Sequence, residues 1–441
     1  MSSHLIDSLA TTTELADVFS DRSLLQAMLD FEIALARAEA EAGLIPTDAA
    51  SAIATSTIDG LDAAEIARAA RNTGTVSIGF VSALATQVRS RDPKSADFVH
   101  FGATSQDVAD TAMVLTLRQA MAILTAEHAR LDSALRRLSD AHALTIMLGR
   151  TLLQPAPPIT FGLKVAGWVA ALSRGWRRVD AAAADALALQ FGGAAGTLAA
   201  LGDRGPQVAP LLARHLGLPQ AVPWHTHRDR LAAFVCACGV YVATLGKIAR
   251  DISLLMQHEV AEVAEPGGGS STMPHKRNPA ASAIVLAAAN RTPGLVAAFL
   301  AGMLQEHERS AGGWHAEWPT VAHIVQAAGS AQAALANAAC DLSVDVHQMR
   351  ANIARTNGTI FAERAMAILL APLGKKTAEA LIADALAETR KGSMTFGAAL
   401  SAMPEIVSVI DSDVLRRIDV PEDYLGAAEL FRAQLLDEGR R

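Results

Sequence analysis

Aromatic residues are scarce in this chain, at 4% of 441 positions. Strands favour aromatic and β-branched side chains, so this scarcity, with alanine and leucine abundant, argues for close-packed helices over sheet. Cysteine is scarcer still. Cys236, Cys238 and Cys340 are the only three, and an odd count without paired spacing excludes a disulfide framework. A C-x-C pair with one distant cysteine makes no zinc site either. An excess of basic residues is also lacking. The formal net charge is −7, which argues against a nucleic-acid partner but not against an anionic substrate, since a few local cations outweigh a weak overall field. The opening MSSHLIDSLATTTELAD has no basic stretch leading into an apolar core, so no signal peptide is expected. The longest apolar run, LAAFVCACGVYVATLG at 231–246, is shorter than the ~18 residues of a membrane span. The expectation is a cytoplasmic protein with no membrane partner.

What the chain does have is helical periodicity and enough apolar residues, 51%, to fill a large core. At about 150 residues per domain its length suggests roughly three domains. Residues 23–42 read as an amphipathic helix closed by Gly43 and Pro46, and shorter helices follow across 60–89. Thr104 and Asp107 have capping-box spacing, so a helix is expected to start there and run to about 142. Four more long helices are expected over 159–189, 228–263, 279–303 and 319–349. Helices of this length exceed the globular norm. They imply an elongated bundle too apolar to be covered within one subunit. Beyond 355 the helices shorten, with 359–372 and 375–391 among them. The predicted class is all-α, divided as 1–103, 104–355 and 356–441.

The polar loops interrupt this pattern. GGGSSTMPHKRNP at 267–279 puts glycines, serines, prolines and cations between two long helices. Loops of about a dozen residues are more often functional than inert. Glycine permits close backbone approach, and hydroxyls such as those of Ser270 and Ser271, with backbone N–H groups, receive anions. Lys276 adds a positive charge, Asn278 a neutral donor, and the two prolines limit the conformational search. An anion-binding lid is the reading. VHFGATSQDVADT at 99–111 places Thr104 and Ser105 at a helix start, where the dipole favours negative charge, although ordinary capping explains them equally well.

The remaining motifs are weaker. In GRTLLQPAPPITFG at 149–162, which joins two long helices, Gln154 is either a ligand contact or a satisfied core amide. WHTHRDR at 224–230 could hold a metal through H-x-H, but with no carboxylate or cysteine at ligand spacing a solvated or anion-facing turn is the better reading. GGAAGT at 192–197 lacks the G-K-[ST] of a phosphate loop and reads as a tight turn. QEHERSAGGWHAEW at 305–318 gathers Arg309, two histidines and two tryptophans, which a wet turn between helices would also explain. No G-x-S-x-G elbow is present.

GSSTMPHKRNP, from Gly269, resembles the signature loop of the fumarase/aspartase superfamily. HFGATSQDVADT and GRTLLQPAPPITFG resemble that superfamily's other two conserved regions, in the usual order and over nearly the whole chain. The resemblance implies a three-domain helical subunit whose central bundle assembles as a homotetramer, with active sites shared between subunits and no metal or organic cofactor. It makes Ser270 the proton-transfer group, Lys276 and Asn278 substrate-carboxylate contacts, and Thr104 and Ser105 anion-binding positions. Most lyases of the superfamily carry T-H where this chain has Thr151-Leu152, and leucine can neither give nor take a proton. The His-Asp pair of adenylosuccinate lyases is also missing, with Gly74 and Thr75 in its place in RNTGTVS at 71–77.

The lactonizing cycloisomerases do without the second-region histidine, and PWHTHRDR and ERSAGGWHAEW resemble that branch. The resemblance therefore implies a small tricarboxylate substrate, with His100, Arg228, Arg230 and Arg309 as further positive contacts. Arg309 is the best supported, because H-E-R resembles a substrate-binding segment of adenylosuccinate lyases. His142 and His225 read as core or surface residues. The alternatives are a lyase releasing fumarate from a succinyl adduct such as adenylosuccinate, and a catalytically silent structural protein.

Overall fold

The computed structural model describes residues 5–269, 272–273, 275–392 and 394–439. Among them the only sheets are two two-stranded pairs, and the fold is all-α. Five helices dominate: Ser105–Ala141, Phe161–Ala186, Asp229–Leu255, Ala280–Ala301 and Gly313–Cys340. The first begins where the capping-box spacing predicts. The N–H of Thr104 donates to the Asp107 carboxylate at 3.1 Å, the reciprocal half of the box. Ser20 caps the earlier Asp21–Glu41 helix by accepting from the N–H of Ser23.

Two of the long helices stop before their expected ends. The 228–263 pattern breaks at Leu255, and Ala261 adopts a left-handed backbone (φ 51°) leading into a Val263–Ala264 strand. No glycine or proline marks that stop. The 319–349 pattern instead spans Gly313–Cys340, followed by a Ser343–Val344 strand and a separate helix, Val346–Ala354, that Asp345 caps. Pro319 lies inside the helix rather than opening it.

The chain gathers into two compact units. One comprises Met1–Ala129, Gly175–Gly246 and Ile284–Ala334; the other comprises Arg130–Arg174, Lys247–Ala283 and Leu335–Arg441. In the first unit small residues let helices close on one another. A Cβ on Gly246 would lie 2.6 Å from that of Ala289, and one on Gly329 only 2.1 Å from Leu15 Cδ1. The few aromatics are used in depth. His128 stacks on Trp176 with ring centres 4.7 Å apart, and Tyr241 Oη lies 3.0 Å from His128 Nδ1 and 2.9 Å from Gln332 Nε2.

In the second unit the 149–162 connection is an antiparallel hairpin, Ile146–Thr151 with Gln154–Thr160. Its prolines are tolerated because a two-stranded ribbon consists only of edges. The turn residues, Leu152 and Leu153, both have positive φ (49° and 64°). Asn-Gly would normally signal such a turn, so the leucines hid the hairpin from sequence reading. Leu148 from the hairpin joins a core with Phe361, Leu369, Phe396 and Leu400 of the short C-terminal helices.

Three of the long helices are long and apolar enough to cross a membrane by length and composition, which the 231–246 run alone understates. Within the chain, 72% of the most apolar window of Ser105–Ala141 is buried and 56% of that of Asp229–Leu255, but only 17% of that of Ala280–Ala301.

Candidate active site

In the first unit the 100–107 loop is built around Asp107, which is fully buried. Its carboxylate accepts from the N–H groups of Thr104 (3.1 Å), Gly192 (3.1 Å) and Gly193 (2.8 Å), and it lies 2.7 Å from His225 Nε2. One side chain thus ties the helix start to the GGAAGT turn and the WHTH turn. The N–H groups of Gly192 and Gly193 are taken up by the Asp107 carboxylate, which supports the tight-turn reading, and His225 is buried. Gly102 is required in this loop: φ is 68°, and a Cβ would meet Leu201 Cδ2 at 2.3 Å. Thr104 and Ser105 are half-buried at the helix start. Ser77 Oγ donates to the Ser105 carbonyl at 2.9 Å and accepts from Thr75 Oγ1 at 3.2 Å. Beside Thr75 a cavity of about 190 Å³ opens, lined by Gly74, Val76, Trp314, His315 and Trp318.

The arginines separate into three situations. Arg228 is buried, with its guanidinium between Asp110 (2.8 and 3.1 Å) and Glu317 (2.6 and 2.9 Å) and 4.6 Å from the Trp224 ring centre. Burial works against its charge, but the two carboxylates outweigh it and hold its pKa above the ordinary arginine value. Its N–H groups are spent on these internal partners, which leaves none for the substrate contact expected from sequence. Trp314 Nε1 also donates to Asp110, at 2.9 Å, so the same network fixes one cavity wall.

Arg309 is half-buried and donates to the carbonyls of Gly193 (2.6 Å), Ala194 (2.9 Å) and Glu308 (2.7 Å). Among the described residues no carboxylate forms an ion pair with it, although the charges of Asp107, Asp110 and Glu308 act on it from farther off. Arg230 makes a loose pair with Asp185 at 3.6 Å, with 41% of its side chain exposed. His100 has its Nδ1 2.6 Å from Glu32 Oε1. Glu32, at 1% exposure, belongs to a helix that carried no sequence signal for the site.

In the second unit the 267–279 loop is closed at its neck. The N–H of Asn278 donates to the Gly268 carbonyl at 2.7 Å, and Gly269 and Arg277 form a bridge. The buried Glu265 accepts from the N–H groups of Ala281 (2.8 Å) and Ser282 (3.0 Å), capping the next helix. Lys276 is exposed and Asn278 half-buried. Among the described residues no carboxylate pairs with Lys276. Ser270 and Ser271, the expected proton donor and its neighbour, lie outside the described residues, as does Pro274. On the hairpin, Gln154 is exposed opposite Thr151, which rules out the core-amide reading. Leu152 at the tip is 97% exposed.

A sequence profile for a family described as "Lyase" matches residues 9–294. This chain belongs to that lyase family. A 3-carboxy-cis,cis-muconate cycloisomerase of Bradyrhizobium diazoefficiens is 45% identical over 96% of the chain and 95% of its own length. The crystal structure of a 3-carboxy-cis,cis-muconate lactonizing enzyme from Pseudomonas putida superposes with a TM-score of 0.95 at 41% identity, covering 100% of this chain and 99% of that one. A nitrosuccinate lyase of Streptomyces davaonensis is 40% identical over 97% of the chain and 93% of its own length. The lyase-family fold therefore carries both cyclising and eliminating relatives at similar distance from this chain.

Proposed function

We propose that this chain is a cycloisomerase converting 3-carboxy-cis,cis-muconate to a carboxymuconolactone, a cytoplasmic step in protocatechuate breakdown. The observation that carries the reading is the hairpin tip. It exposes Leu152, a side chain with no proton to give, in a chain whose polar loops carry cations. A reaction that expels a basic leaving group needs an acid at that point. Lactonisation expels nothing. A substrate carboxylate, already ionised at neutral pH, attacks its own conjugated double bond, and a C–O bond forms as the π bond breaks. The electron pair moves onto another carboxylate as an enediolate, and a proton added at the adjacent carbon completes the ring. Substrate and product are isomers, so no co-reactant, metal or organic cofactor enters.

Cations and N–H donors stabilise the developing enediolate. Lys276, Asn278, Arg309, His100 and the helix start at Thr104 and Ser105 suit that task, and Ser270 is our proton donor. The aromatic cavity beside Thr75 suits a flat unsaturated acid. We propose a homotetramer that joins these regions from different subunits, and the domain division 1–103, 104–355 and 356–441. No nucleic acid or membrane enters this reading.

Elimination of a stable anion such as nitrite would also need no acid, and the nitrosuccinate lyase relative favours that second reading. Ultraviolet absorbance separates the two. The conjugated diene is lost when the muconate is lactonised, whereas elimination from nitrosuccinate or adenylosuccinate creates fumarate. A fall with the muconate alone supports cyclisation, and fumarate release without it supports elimination. Ser270→Ala should lose most turnover while keeping its oligomer, and normal turnover would remove Ser270 from the proton-transfer role.

A further inference from the structure

Glu32 stands in the middle of the Asp21–Glu41 helix at 1% exposure, where a carboxylate is rarely found without a partner. Its partner is His100 Nδ1, at 2.6 Å. His100 is held in the left-handed backbone region, φ 61°, an uncommon conformation for any residue but glycine. Strain of this kind persists where the surroundings over-determine it, and here Glu32 grips the ring from one side while Gly102 fixes the chain on the other. The ring's second nitrogen, Nε2, has no hydrogen-bond partner among the described residues, and 16% of the side chain remains open. The loop that carries it runs directly into the helix start at Thr104 and Ser105.

We propose that Glu32 is a positioning residue of the active site: its buried carboxylate grips Nδ1 of His100 and leaves Nε2–H as a charged donor for one carboxylate of the substrate. The inference rests on the polycarboxylate reading above. A carboxylate bound to the far nitrogen fixes the ring's orientation and its protonated form at once. Burial opposes a charge on the ring, but Glu32's charge and hydrogen bond, with the field of Asp107, outweigh it and raise the His100 pKa. The charged groups acting on the ring are thus Glu32 from the Asp21–Glu41 helix and Asp107 from the Ser105–Ala141 helix. Glu39, on the same helix as Glu32, is pushed up to about 9 by burial and by Glu32, and so adds no charge at neutral pH.

The test uses full-length enzyme carrying carbon-13 histidine, with the His100 signal identified by its loss in His100→Gln. In the unsubstituted protein that signal should titrate above the ordinary histidine value, and a midpoint below it would overturn the proposal even if no variant folds. In Glu32→Gln the midpoint should fall by about one unit or more, a tenfold change in proton affinity. The pH at which KM for the tricarboxylate begins to rise should fall with it, while kcat changes less. Glu32→Asp should restore part of both shifts. An unchanged His100 midpoint and KM profile in a folded Glu32→Gln enzyme would reduce the pair to a structural tether. Absence of muconate turnover in the unsubstituted enzyme would instead count against the substrate reading, and the His100 titration would still test the pair.

Discussion

Glu32 and Glu39 lie two turns apart on one face of a single helix, both out of water, yet only Glu32 has a partner. Neither oxygen of Glu39 meets a hydrogen-bond donor among the described residues. Burial first, and the Glu32 charge second, raise its pKa from 4.5 to about 9. The folded state therefore keeps the proton that the unfolded chain releases above pH 4.5, and this contribution to stability drains away as pH rises towards 9. Glu39→Met removes the penalty. It should gain about 1 kcal/mol or more in unfolding free energy at pH 8 and much less at pH 5, read from denaturant midpoints. A gain independent of pH would mean that Glu39 is ionised in the fold.

Arg228 poses the opposite case. Removing it leaves Asp110 and Glu317 buried without their shared cation. Arg228→Met should cost about 3–5 kcal/mol, whereas Arg230→Ala should stay within about 0.5 kcal/mol. An Arg228 variant of full stability with a raised KM would restore Arg228 as a ligand contact.

At the scale of elements, the long helices were legible because periodicity, capping residues and breakers agreed, as at Thr104 and Asp107. The hairpin was not, because two leucines occupy a turn that glycine and asparagine would have announced. The stop at Leu255 was equally silent, since the left-handed residue there is Ala261 and not glycine. The signature loop was read from its residues as an anion site, but nothing in those residues announced its neck. Glu265 reaches forward to cap the following helix across a separation that no local pattern reports. The arginines of the WHTHRDR segment looked alike in sequence, and only packing separates the buried Arg228 from the half-exposed Arg230.

Gly268 tests the neck. Its φ is 70°, and a Cβ there would meet the Asn278 carbonyl oxygen at 2.1 Å. Gly268→Ala should therefore displace Lys276 and Asn278 while leaving the distant cores intact. Misplacement of about 1 Å costs roughly 100-fold in rate, so kcat/KM should fall on that order with little change in unfolding midpoint. A fall in stability without a fall in rate would make the neck a structural feature only.

For the whole molecule the telling element is the Ala280–Ala301 helix. Its apolar window has a mean hydropathy of 1.5 and only 17% of it is buried within the chain. A bare surface of that kind marks a contact with another chain or with lipid, and in a lyase-family bundle another copy of the subunit is the fitting cover. Ala287 and Ala298 are both exposed and lie three turns apart, so they sit on one stripe of that surface. Glutamate at both positions would put charges into a subunit interface, where unpaired charge is costly. If this face is the subunit interface, the doubly substituted Ala287→Glu, Ala298→Glu protein should elute as a smaller species than the unsubstituted protein in light scattering. Its muconate turnover should vanish with the assembly if, as proposed, the site is drawn from several subunits. Retention of both the parent's mass and its activity would show that this helix lies outside the interface, and the cover for its apolar face would have to be sought elsewhere.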